Sequence, residues 1–261
     1  MTYPSDLTDT QWGCIEKELE TEMLSRKRLR PLRSIINAIF YISKTGIQWR
    51  AMPHDLPPWQ TVYYYYRKWS KNGFWQWLHD LLSVKVRVKA GKAATPSAAI
   101  MDSQSVKTCF KGARGYDAAK RIKGRKRHLL VDTLGLIIVH LVHRADISER
   151  SGAKYLLSRL LKRMVDFPRL KLFFADQGYS GQAMKDWVSR SFRNWKCSLE
   201  IVKKIHKKTF KTLPKRWIVE RTFGWLNLYR RLSKDYETET TSSETMIQIA
   251  MIHIMLKKLS K

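Results

Sequence analysis

Apolar residues recur along this chain at two different periods, and the change from one to the other divides it. Up to about Val88 the period is helical. A short helix is predicted from Thr8 to about Leu19, with a Thr8-x-x-Gln11 capping box and Leu7, Trp12, Ile15 and Leu19 on one side. A second is predicted from about Pro31, since Leu32, Ile35, Ile36, Ile39 and Phe40 share one face and Thr45-Gly46 supplies a stop. A third covers Trp59 to Trp69 and a fourth Phe74 to about Val88, joined by Lys71-Asn72-Gly73. Two helices across a short glycine-containing turn fit a helix-turn-helix and equally a hairpin that merely packs. The loop Gln48 to Pro58, with Trp49 and three prolines, predicts an ordered connection.

Residues 91–97 read as a linker, closing a helical region of residues 1–90. Short apolar runs follow. Ala98 to Asp102 is one; Arg127 to Asp132 and Leu136 to Val142 are two more, joined by the hairpin signal Thr133-Leu134-Gly135. A helix from about Glu149 to Arg163 precedes the run Leu170 to Asp176. Another helix near Gly181 to Ser191 and a strand near Ser198 to Val202 come next. Arg216 to Leu232 predicts a helix, with Val219, Phe223, Leu226 and Tyr229 at helical spacing and Pro214 upstream. Three strands, then strands alternating with helices, predict a mixed α/β sheet over residues 98–240 behind an all-helical N-terminal domain. The last segment, 241–261, reads as a helix capped by Thr241-x-x-Glu244 and apolar nearly all round, hence buried in the fold or in a subunit contact.

Charge changes this picture most. The 261 residues carry 50 Lys+Arg against 22 Asp+Glu, a formal net charge of +28, which attracts polyanions. With 44% hydrophobic residues the chain is too apolar for a disordered basic tail, so nucleic acid is the expected partner; a ribosome-associated or membrane-surface protein is the competing reading. Cys14, Cys109 and Cys197 are too far apart for a disulfide framework or a CxxC zinc site. No secretory signal is visible at the N-terminus. Met246 to Leu259, interrupted by Gln248, His253, Lys257 and Lys258, is too short and polar to span a bilayer. A cytoplasmic protein with no membrane partner is expected.

Three acids stand out against that charge. Asp102 and Asp176 each close an apolar run, and open α/β sheets place ligands at the carboxyl ends of strands. Each alone also fits a turn or cap aspartate, as Asp132 does at its hairpin. Glu220 is a lone carboxylate among Arg216, Arg221, Arg230 and Arg231, either an ion-pair partner or a metal ligand. Together the three could hold two divalent ions about 3.5–4 Å apart for an in-line phosphoryl displacement. Hard oxygen ligands suit Mg²⁺ or Mn²⁺. Two basic runs bracket the acids. Lys107 to Arg127 has nine basic residues, Lys123, Arg125, Lys126 and Arg127 among them, and Lys203 to Arg216 has seven, beginning with Lys203 and Lys204. Phosphate neutralisation accounts for both.

With those residues in view, the chain resembles the DDE transposases of bacterial insertion sequences, family five within the family-four/five group. The likeness spans nearly its whole length. It is carried by Tyr3-Pro-Ser-Asp-Leu-Thr-Asp-x-x-Trp12, Thr45-Gly-Ile-Gln-Trp-Arg50, Pro57-Pro-Trp-Gln-Thr-Val-Tyr63 and Asp102-Ser-Gln-Ser-Val-Lys-Thr108. It continues through Arg114-Gly-Tyr-Asp-Ala118, Lys123-Gly-Arg-Lys-Arg-His-x-Leu-Val-Asp-Thr-Leu-Gly135, Ala175-Asp-x-Gly-Tyr-x-Gly181, Arg216-Trp-x-Val-Glu-Arg-Thr-Phe223 and Tyr229-Arg-Arg-Leu-Ser-Lys-Asp-Tyr-Glu237. The resemblance implies a ribonuclease-H-like catalytic domain with a mixed five-stranded sheet behind a helical DNA-binding region. It implies that Asp102, Asp176 and Glu220 are a metal-binding catalytic triad holding Mg²⁺ or Mn²⁺. It also implies cleavage at terminal inverted repeats and joining of 3′-hydroxyl ends to target DNA by a homodimer or larger assembly associated with the nucleoid. Of the Tyr-x2-Arg-x3-Glu-x6-Lys signature of relatives, Arg216 and Glu220 are present, while Leu213 and Asn227 replace Tyr and Lys; Arg230 or Arg231 is the candidate substitute cation. A nuclease that cuts without joining and a DNA-binding regulator that has lost catalysis are the alternative functions.

Overall fold

A computed structural model describes residues 3–22, 30–109, 112–202 and 216–260. The chain divides into two compact units: Met1–Ala90 with Leu226–Ser233 and Thr245–Lys261, and Gly91–Trp225 with Lys234–Glu244.

The first unit is helical. The Thr8 capping box forms in both directions, its hydroxyl accepting from the Gln11 amide while the Gln11 side chain accepts from the Thr8 amide. The single helix expected there is two, α1 (Asp9–Gly13) and α2 (Glu16–Glu22), broken after Gly13, a poor helix former. α3 (Leu32–Thr45) starts after Pro31 and stops at Gly46, whose φ of 75° is left-handed and open to glycine at little cost. Its Ile35, Ile36, Ile39 and Phe40 are buried. α4 (Trp59–Lys71) and α5 (Phe74–Lys89) flank Gly73. The tyrosine run sorts by helical angle: Tyr66 is buried while Tyr64 is 59% exposed.

The second unit is built on a six-stranded mixed sheet. Its strands are β1 (Ala98–Lys107), β2 (Gly115–Asp117), β3 (Ile122–Asp132), β4 (Ile137–Arg144), β5 (Leu172–Ala175) and β6 (Ser198–Ile201). β3 pairs antiparallel with both β1 and β4, whereas β5 runs parallel to β1 and β6 parallel to β5. The order β4-β3-β1-β5-β6 is the ribonuclease-H-like arrangement, and these are the five strands expected. Three-residue β2 is an addition, paired with Ile122–Gly124 of β3 beyond the stretch that β4 covers. α6 (Glu149–Leu161) and α7 (Gln182–Ser191) supply Leu156, Leu160 and Val188 to a core that includes Met101, Leu130 and Phe173 of the sheet. α8 (Arg216–Asn227) and α9 (Thr240–Leu259) complete the chain.

Further boundaries differ from expectation, and β3 starts at Ile122 and not Arg127. β1 runs five residues past Asp102, because Ser103, Gln104 and Ser105 pair with β3 despite their polarity. α8 ends at Asn227 and not Leu232, since Tyr229 is extended (φ −101°, ψ 109°) and a short 3₁₀ turn follows. α9 begins at Thr240, so Thr241 lies inside its first turn and is not its cap. Within the helical unit His253 of α9 stacks on Phe40, ring centroids 4.5 Å apart. Among the described residues no helix is long and apolar enough to cross a membrane.

Candidate active site

The parallel β1–β5 pair sets two of the expected acids side by side. Its last paired positions are Ile100 and Phe174, and Asp102 and Asp176 each lie two residues further on, at the same level of adjoining strands. Asp102 is therefore in mid-strand along its β3 edge, a correction to its expected place at a strand end. Along its β5 edge it has no strand partner, because β5 stops at Ala175. Each carboxylate is oriented locally: Asp102 Oδ1 accepts from the Ser103 amide at 2.7 Å, and Asp176 Oδ1 from the Gly178 amide at 2.9 Å. Burial, and then the charges of Asp176 and Glu149, push the Asp102 carboxyl up to about 6, against the Ser103 hydrogen bond and the Lys120 charge, which lower it.

Glu149, at the first position of α6, is an acid the sequence did not single out. Its Oε1 accepts from Ser103 Oγ and from Lys120 Nζ, each at 3.3 Å, and Lys120 Nζ also reaches the Ser103 carbonyl at 3.4 Å. A Cβ on Gly178 would collide with Glu149 Oε2 and stand 3.1 Å from Asp176 Oδ1, so both oxygens approach one point. Tyr179 is fully buried, with its hydroxyl beside Ser103 and the site's acids. Burial and the charge of Asp102 raise its phenol well above the ordinary value, with Glu149 and Asp176 adding to the effect.

Beneath α6 lies a buried histidine pair. His143 Nδ1 donates to the Arg144 carbonyl at 2.7 Å, which leaves Nε2 to accept from His128 Nδ1 at 2.8 Å. Burial lowers the pKa of both rings, so the neutral pair is consistent with its own hydrogen bonds. Gly152 of α6 packs directly on these rings, and a Cβ there would collide with both.

Glu220 is exposed on α8. The charges acting most strongly on Asp102 do not include it. As the side chains stand, no three His, Cys, Asp or Glu among the described residues converge at metal-binding distance. α8 itself is fastened to the β3–β4 hairpin: Thr222 Oγ1 donates to the Gly135 carbonyl at 2.8 Å and Arg221 to that of Leu134 at 3.0 Å. Asp132 Oδ1 accepts from the Leu134 and Leu136 amides and is the turn aspartate the sequence suggested.

The basic residues divide. Lys107, Lys123 and Arg230 are exposed, as a phosphate contact requires. Arg221 lies over the rings of Trp217 and Trp225, at 4.5 and 4.6 Å. Four others are corrected, because Arg125, Lys126, Arg127 and Arg231 are buried and bonded internally. Arg125 donates to Asp235, Ser243 and the carbonyls of Ala113, Glu237 and Thr238; Lys126 pairs with Asp117; Arg127 donates to Lys234 O and Arg231 to Ile47 O. A guanidinium removed from water needs such partners, and they leave it little to offer a phosphate. Lys203 and Lys204 lie outside the described residues, and Arg216 is the first residue of α8.

Comparison with known proteins adds family to geometry. A model for proposed transposases of the IS4/5 family matches residues 7–79. The chain is 31% identical over 84 residues to an uncharacterized 16.2 kDa protein of insertion element IS402 from Burkholderia cepacia; the match covers 31% of this chain and 56% of that protein, so the chain spans about half the length of its curated relative. Two Mos1 transposase structures, a paired-end complex with the left transposon end and a strand transfer complex, align over 75% and 96% of this chain and 66% and 86% of theirs. Their identities of 12% and 11% and TM-scores of 0.27 and 0.21 are too low to argue from. The model described as Transposase DDE domain matches residues 93–255, more than half the chain and all of the carboxylate site, and the protein belongs to that family.

Proposed function

We propose that this chain is a DNA transposase that binds the terminal inverted repeats of its insertion sequence and catalyses metal-dependent strand cleavage and strand transfer. The observation that carries the proposal is the pair Asp102 and Asp176, level with each other past the end of β5, with Asp102 held up to about 6. Burial and the charges of Asp176 and Glu149 disfavour ionisation of Asp102, which a hard divalent cation relieves, so the residues fit Mg²⁺ or Mn²⁺. Asp102, Asp176 and Glu220 would hold the ions, Glu220 reaching them from α8. When bound, such ions polarise the scissile phosphate and favour deprotonation of the attacking hydroxyl. The Ser103 and Gly178 amides fix the two aspartates so that their orientation does not depend on the substrate. Lys107, Lys123, Arg216 and Arg230 would neutralise DNA phosphates, and the helices of residues 1–90 would read the repeats. Pairing two element ends calls for a homodimer or larger assembly, and the bacterial nucleoid is the place of action.

The test is cleavage and strand transfer by the purified protein, in Mg²⁺ or Mn²⁺, on DNA carrying both flanks of its gene. Wild type should cut at the repeat ends and join them to target, and Asp102→Asn and Glu220→Gln should abolish both steps. Cutting that survives Asp102→Asn would overturn the assignment. Tight, specific binding with no cutting in either metal would move the chain to the regulator class.

A further inference from the structure

The Glu149 carboxylate has no task in the triad just proposed, yet the fold delivers it to the same place. Three contacts do so: the hydrogen bond from Ser103 Oγ, the ammonium of Lys120, and the bare backbone of Gly178, which lets Glu149 Oε2 approach Asp176. Strand alternation sends Ser103 and Asp102 to opposite faces of β1. At this level, however, the β5 side of β1 has no strand partner, so side chains from the two faces can meet around that open edge. The buried Tyr179 hydroxyl, next to Ser103, is a further polar group beside the same acids. Among the described residues the Lys120 ammonium acts on Asp102 and pairs with Glu149, and it is 39% exposed at its side chain, able to swing away on a flexible stem.

We propose that Glu149 is a further ligand of the divalent cation held by Asp102 and Asp176, and that Lys120 is the cation it exchanges for. This rests on the metal site of the proposed function and adds a residue to it. Lys120 leaves Glu149 Oε1 as the ion arrives, and its ammonium, still tethered beside the site, is then positioned for a DNA phosphate.

Mn²⁺ binding to the full chain, followed by the electron paramagnetic resonance of free Mn²⁺ without DNA, tests it. Glu149→Gln should weaken binding by about tenfold or more, a loss of the size that removing a metal site's supporting group causes, and Glu149→Asp should recover part of it. Lys120→Met should tighten binding several-fold, because a competing charge is gone. Thermal unfolding by circular dichroism identifies any variant that has not folded; should Glu149→Gln fail there, Lys120→Met carries the test alone. Weakening by Asp102→Asn and Asp176→Asn while Glu149→Gln binds as wild type would overturn this inference and leave the triad intact. Unchanged binding in all three would overturn the metal site itself. Unchanged or weaker binding by Lys120→Met would overturn the exchange.

Discussion

Two polar clusters in the sheet unit, one buried and one half-buried, handle charge in different ways. Around Arg125 the donors are answered: its guanidinium and Asp235, each only 1% exposed at the side chain, bond to each other at 3.1 Å, the Ser243 hydroxyl and three carbonyls take up the remaining donors, and the neighbouring Arg127 feels the same carboxylate. Around Asp102, among the described residues, the charges of Asp176 and Glu149 stand against that of Lys120, and one carboxyl is pushed up to about 6. The first cluster ties the segment 234–244 to β3. Among the described residues the second leaves an acid unanswered, which the proposed metal ion would balance.

The largest effect expected from breaking this contrast is in the balanced cluster. Asp235→Asn leaves Arg125 buried without a counter-charge and should cost about 3–5 kcal/mol in urea unfolding. A loss below about 1 kcal/mol would mean that the cluster is not the structural one. In the unbalanced cluster the sign reverses. Asp102 has its folded pKa raised, so the unfolded chain gives up that proton first and wild-type stability falls as pH rises from the unfolded value through about 6. Asp102→Asn in metal-free buffer should therefore be more stable than wild type by about 1–2 kcal/mol above pH 7, after discounting for solvent screening. That advantage should vanish near pH 4. A variant less stable than wild type at pH 7.5 would remove the contrast. The smallest stability effect is expected from Gly178→Ala, whose new methyl meets the flexible end of Glu149. It should cost under about 1 kcal/mol, yet shift Glu149 and weaken Mn²⁺ binding.

Sequence periodicity located what is local. Pro31 and Gly46 bound α3 as read, the Thr133-Leu134-Gly135 hairpin is where its turn signal put it, and Asp132 caps that turn. It was blind to polar residues that pair inside a sheet. Ser103 and Ser105 look like the start of a loop, but both are buried in β1, where Ser105 Oγ donates to Asp117 at 2.6 Å. Burial of cations was equally hidden, since Arg125 meets a partner 110 positions away. Asp102 and Asp176 announced themselves by closing apolar runs. Glu149 had no such signal: it opens a helix after Ser148, where an acid is ordinary, and only the tertiary contact with Ser103 gives it meaning.

Gly152 fixes more than a helix packing distance. It sits one turn after Glu149 and rests against two imidazoles, each held by the other or by a carbonyl. α6 thus has a seat that sets how deep it lies and how far along the sheet its first turn reaches. A methyl at that seat would lift the helix and carry Glu149 away with it, altering the proposed ion site without touching any group near it. Sequence drift on the outer side of α6 is free of that constraint, so an altered metal dependence in a variant chain could originate at a residue that holds neither charge nor polarity.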